Sequence, residues 1–96
     1  MSHYVLQGVF WRGGVVTEVR WALATPADDA KVLLGPSGVV PVAEVVKALM
    51  EGHQVHIGLL GGLGPTVTRK VLEDGTETIT ELDPEARPRL YQLVEF

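Results

Sequence analysis

Two histidines three residues apart, His53 and His56, are the first side chains in this chain whose type and spacing could do chemistry. A His-x-x-His pair can share a metal ion. On a strand, however, a spacing of three sends the two rings to opposite faces. The chain has no cysteine, and the sequence around the pair does not complete a set of three ligands. No metal and no other cofactor is therefore expected, and the plainer reading is a solvent-facing His56 beside a His53 at the end of a helix.

The second candidate is the glycine run that includes Gly58, Gly61, Gly62 and Gly64 and ends at Pro65. Glycines let backbone N–H groups approach an anion closely, so a small-ligand or anion site built on Gly61, Gly62 and Gly64 with His53 and His56 is one of two functional readings. Neither phosphate-binding fingerprint is matched, and Pro65, Thr66, Val67 and Thr68 stand where a helix N-terminus would be required. A hairpin loop accounts for the run more simply, although Leu59, Leu60 and Leu63 are apolar for an exposed tip. The acidic residues Glu73, Asp74, Glu77, Glu81, Asp83 and Glu85 alternate with threonine over much of their span. Glu77 and Glu81 fall on one strand face with Arg69 or Lys70 as cross-strand partners, which describes a solvated face rather than an acid–base pair. Ser2 and Ser37 are the only serines, and neither sits in a G-x-S-x-G elbow. No enzyme class is supported.

Composition narrows the remaining possibilities. Ninety-six residues make one domain, and 46% apolar against 21% charged residues is enough to build a core. Eight Lys and Arg against twelve Asp and Glu give a net charge of −4, so a nucleic-acid backbone is repelled on average. The absence of cysteine fits a reducing compartment. The first residues lack a signal-peptide pattern, and the longest uncharged run, 55–68, is broken by Pro65 and several glycines. A cytoplasmic location with no membrane partner is the expectation.

These side chains must be positioned by a small α+β domain. Residues 4–23 read as a β-hairpin around Gly13 and Gly14, whose two-residue loop makes paired positions sum to 27. Regular alternation then places Tyr4, Leu6, Gly8, Phe10, Thr17, Val19, Trp21 and Leu23 on a core face. Val5, Gln7, Val9, Trp11, Val16, Glu18, Arg20 and Ala22 take the other. Residues 25–38 read as a connecting loop, with a short strand possible at 31–34. A helix over 41–51 buries Val42, Val45, Val46, Leu49 and Met50 and stops at Gly52. Strands follow at 54–59, 66–72 and 76–82, the last two joined by a three-residue loop that puts Val67, Val71 and Ile79 on one face. Residues 90–96 suit a helical turn or an extended tail. The expectation is ββαβββ: an antiparallel sheet of about five strands with one helix packed on one face.

Tyr4 to Val9 at the start, Ala43 to Val46 running on to Glu51 and Gly52, and the close from Leu90 to Phe96 follow one another in an order similar to that of a family of small bacterial domains of unknown function. The resemblance covers most of the layout and implies the same hairpin, helix and further strands. It implies no activity and no catalytic residues. The chain departs from the family in the insert at 25–37 and in its richer glycine run.

A single helix can cover one face of a sheet only. The second hairpin face therefore supplies the other functional reading, a protein-interaction module or homodimer working through Trp11, Val9, Val16 and Arg20, rimmed by Gln7, Glu18 and Arg12. The competing expectation is that the 26–38 loop or the C-terminal tail folds over that face.

Overall fold

Gly13 and Gly14 take φ values of 61° and 81°, the positive range that a two-residue primed turn demands. They join β1 (His3–Arg12) to β2 (Val15–Pro26) in the expected hairpin. The computed structural model of the chain describes residues 2–26, 32–58, 64–83, 85–86 and 89–95. Tyr4 pairs with Leu23 and Leu6 with Trp21 at the open end, and Arg12 pairs with Val15 at the turn, as the sequence predicts. Between them the register slips by one. Gln7 on β1 and Thr17 on β2 are left unpaired, so that Gly8 faces Arg20, Val9 faces Val19 and Phe10 faces Glu18.

The two slips are β-bulges, and each hands the side chains beyond it to the opposite face. Leu6 and Val9 now share a face across a spacing of three, and so do Val16 and Val19; all four lie in the main core. This corrects the strict alternation expected from the sequence. Phe10 leaves the core face and Val9, Trp11 and Val16 join it, because an extra residue in each strand inverts the parity of the segment between the bulges and of the strand ends at the turn.

Both edges of this hairpin are filled by pairs of short strands placed end to end. On the outer side of β2, β3 (Val32–Leu34) pairs with residues 24–26 and β4 (Gly38–Pro41) with residues 18–21. A short strand near β3 is expected from the sequence, whereas β4 falls between the expected loop at 25–38 and the helix expected from 41 and is not. On the outer side of β1, β5 (Gln54–Ile57) pairs with residues 3–6 and β8 (Val94–Glu95) with Gly8 and Val9, both in parallel. The large sheet is thus mixed, which corrects the antiparallel sheet of about five strands. Its cause is the helix α1 (Val42–Met50), which carries the chain from β4 back across the sheet, the crossover that parallel pairing requires. β6 (Val67–Val71) and β7 (Glu77–Glu81) form a separate two-stranded sheet. Their connection is the expected three-residue loop with Gly75 at φ 88°. Val67 and Ile79 are buried on one face of it, and Val71 on the same face is exposed near the tip.

α1 buries Val45, Val46 and Ala48, with Val42 and Leu49 packed beside them. Met50, expected on that stripe, is exposed, and Ala48 takes the buried place one turn after Val45. Gly52 ends the helix at φ 92°, its N–H donating to the Leu49 carbonyl at 3.1 Å while the His53 N–H donates to the Ala48 carbonyl at 3.0 Å. That pair of bonds is a Schellman motif, and it fixes where His53 emerges.

At the C-terminal end the two alternatives read from the sequence occur in succession, a 3-10 turn at Leu90–Gln92 and then the extended β8. Leu90 and Leu93 are buried in the core cluster, and Phe96 lies outside the described residues. Glu81 ties this segment to β7, accepting from the Leu90 N–H at 3.0 Å and pairing with Arg89 at 3.4 Å. Burial pushes the Glu81 carboxyl up, but the backbone N–H groups of Glu81 and Leu90, the Arg89 charge and the Thr80 hydroxyl together outweigh it and hold the carboxyl below its ordinary value. A lowered folded value means that the stabilisation is complete above the ordinary glutamate range and is lost as pH falls through the folded value. Glu81→Gln is expected to cost about 1 to 2 kcal/mol in urea denaturation at neutral pH, with wild type and variant converging in acid.

Candidate functional site

Of the four hairpin residues expected at an interaction face, Val9 and Val16 are 0% and 2% exposed in the core, and Trp11 packs against it. Arg20 alone is at the surface. The face opposite the helix is instead closed at one end and open at the other. Val5, Ala22, Ala24 and His56 are buried toward the strand starts. Toward the turn, Arg12, Glu18 and Arg20 are exposed, Phe10 is partly buried, and Val39 of β4, opposite Arg20, is 47% exposed. The Arg12 guanidinium lies 5.8 Å from the centre of the Phe10 ring, a cation–π contact that holds both side chains against the sheet. An aromatic ring and a valine thus sit among two arginines and a glutamate. The sequence contained this patch, and the register that exposes it was not legible without the bulges.

The histidines divide between the two sides of the sheet. His56 is 7% exposed and not solvent-facing as expected. Its ring stacks on His3 with centroids 5.2 Å apart, and its Nδ1 lies 2.9 Å from the Gly64 carbonyl oxygen. A carbonyl only accepts, so Nδ1 of His56 carries a hydrogen. In the neutral ring Nε2 is then an acceptor, and Nδ1–H of His3 donates to it across 3.0 Å. This chain of bonds ties β1 and β5 to the residues leading into β6. His53, at the helix exit, accepts the Ser2 backbone N–H on its Nδ1 at 3.0 Å, so its neutral ring carries the hydrogen on Nε2. Both histidines of the His-x-x-His pair spend Nδ1 on the chain's own backbone, and no group of three or more metal-binding side chains occurs among the described residues. Of the proposed glycine loop, Gly61 and Gly62 lie outside the described residues, and Gly64 contributes the carbonyl just described.

On the helix side, His53 presents an edge to Tyr4, whose ring stacks on Trp21 with centroids 4.3 Å apart and planes 16° from parallel. Tyr4 and Trp21 are diagonal neighbours across the β1–β2 pair, on the face that meets α1. They border a shallow pocket of about 160 Å³ whose far wall carries Glu44, Lys47 and Glu51 from the helix and its cap. Neither aromatic stood out in the sequence as more than core. A second cavity, about 100 Å³, lies where the hairpin turn meets β7, between Trp11, Lys70, Thr80 and Leu90. Beside it the Thr78 hydroxyl donates to the Val16 carbonyl at 2.8 Å and joins the two sheets.

Electrostatic pairing elsewhere is structural. Arg69 donates to both carboxylate oxygens of Glu77, at 3.1 and 2.9 Å, which confirms the cross-strand pair read from the sequence and lowers the Glu77 carboxyl. The Asp74 carboxyl is lowered by the Thr76 backbone N–H that it accepts in the β6–β7 turn. Ser37 gives its hydroxyl to the Gln7 side chain at 2.6 Å.

The chain matches no family model, no curated protein and no solved structure. Its α+β architecture, with one helix on a mixed sheet, is established by the strands and the helix described above. Among the described residues no helix is long and apolar enough to cross a membrane.

Proposed function

We propose that the chain is a non-enzymatic protein-interaction module that docks through the open end of the sheet face opposite α1, with a second copy as its first partner. The observation that carries this is a surface patch in which Glu18 and Arg20 of β2 stand between Phe10 of β1, turned outward by the bulges, and the exposed Val39 of β4, with Arg12 beside Phe10. Apolar side chains alternating with charges of both signs give a surface that a partner of matching pattern covers. The patch carries both signs of charge on one face, so that Glu18 of one copy can pair with Arg20 of another across a two-fold axis. Charge pairs of that kind offset the repulsion between two chains of net charge −4.

The test is solution mass by light scattering across a wide concentration range. Val39→Glu is expected to dissociate the dimer, whereas Val71→Glu, at a residue equally exposed but on the other sheet, leaves it intact. A monomer at every concentration, or equal dissociation by both variants, contradicts the proposal.

A further inference from the structure

We propose that the pocket between the Tyr4–Trp21 stack and one side of α1 is a binding site for a planar organic cation, a guanidinium group. It lies on the opposite side of the sheet from the docking face and does not depend on it.

Three features of the pocket point the same way. Its floor is aromatic, with Tyr4 stacked on Trp21 and flanked by the edge of His53, and a π face attracts cations, guanidinium above all because it can lie flat on the ring. Its wall carries two carboxylates, Glu44 and Glu51, against one ammonium, Lys47. The partner of Trp21 on β4 is Gly38, which sets no side chain beside the indole and has open space where a Cβ would stand. An ordinary strand would have a side chain in that position covering the indole. A volume of about 160 Å³ suits the head of one side chain.

The same chemistry can arrive as a free arginine-like molecule or as an arginine side chain of another protein. The probes are therefore free arginine and N-acetyl-arginine amide, with the N-acetyl amide of citrulline as a neutral control of the same shape. The chain has two tryptophans, so two indole N–H signals report by NMR, and Trp11→Phe assigns them. The expected result is a saturable shift of the Trp21 indole and of the amides near His53 with a guanidinium probe and none with citrulline. Binding by the amide alone identifies a protein segment as the source, and stronger binding by free arginine identifies a small molecule.

Substitutions at the wall test the sign of the site without touching the core. Glu44→Gln with Glu51→Gln is expected to weaken binding about three- to tenfold. Lys47→Gln removes a competing cation and is expected to tighten it. Gly38→Leu is expected to abolish it while leaving the fold intact, because the backbone there is not left-handed and the space is open. No saturable shift with either arginine probe overturns the proposal, as does equal binding of citrulline, weaker binding by Lys47→Gln, or binding that survives a folded Gly38→Leu.

Discussion

Val9→Asp is expected to unfold the protein, whereas Phe10→Asp, one residue away, is expected to leave it folded. Val9 is fully buried among Leu6, Val19 and the other valines of the core. A carboxylate there has no partner, and burying it costs several kcal/mol, a large part of the roughly 5 to 15 kcal/mol that holds a domain together. Phe10 is partly buried on the opposite face beside Arg12, so an acid at that position keeps access to water and gains a nearby cation. Regular alternation predicts the reverse ranking, with Phe10 in the core and Val9 outside. Circular dichroism and urea denaturation of the two variants distinguish the registers directly.

The second large effect is expected at His56. Its ring holds the Gly64 carbonyl on one side and His3 on the other, and it is almost wholly buried. His56→Ala leaves a cavity and two polar groups without their partner, and a loss of about 2 to 4 kcal/mol is expected. His53→Ala removes one bond, from the Ser2 N–H, at a partly exposed position, and about 1 kcal/mol is expected. Equal losses at the two sites would mean that the His3–His56–Gly64 chain does not bind β1 and β5 to the residues that follow. Midpoints of chemical denaturation at one pH give both values.

The contrast between these residues shows how far the sequence could be read. Its local signals were sufficient wherever a short-range rule decides the structure. Gly13 and Gly14 specify the hairpin turn, Gly52 the helix stop, and Gly75 the three-residue loop, because positive φ values are a property of those residues. The helix stripe was legible apart from Met50, which lies at the helix end beyond the sheet's reach. The register was not legible, since Gln7 and Thr17 are ordinary strand residues and nothing in their type announces a bulge. The slip places Val9 and Val16 with Leu6 and Val19 in the core cluster, and that burial is decided by long-range packing of the whole core. The same limit explains the mixed sheet, because the choice of parallel pairing for β5 is made by the crossover of α1 and not by any residue of β5.

The candidate sites divide along that line. Arg20 was found because its position is exposed in either register. Glu18 was likewise placed at the rim of the second hairpin face, whereas Phe10 was hidden by the inverted parity, Val39 by the unexpected strand β4, and the Tyr4–Trp21 stack by the ease with which aromatics in a strand are read as core. His53 and His56 were singled out for their type, and the structure gives each a separate bonding role on a separate side of the sheet.

The outward placement of Phe10 and Glu18, with Val9 and Val16 inside, underlies both the stability predictions and the docking face. Because the chain contains no cysteine, single substitutions Val9→Cys, Phe10→Cys, Val16→Cys and Glu18→Cys each introduce one thiol, and its rate of modification by a water-soluble disulfide reagent in the native state reports which way that position faces. The account predicts rapid reaction at positions 10 and 18, and at positions 9 and 16 reaction only at the rate of unfolding. Rapid reaction at 9 and 16 with protection at 10 would contradict it and return the hairpin to regular alternation.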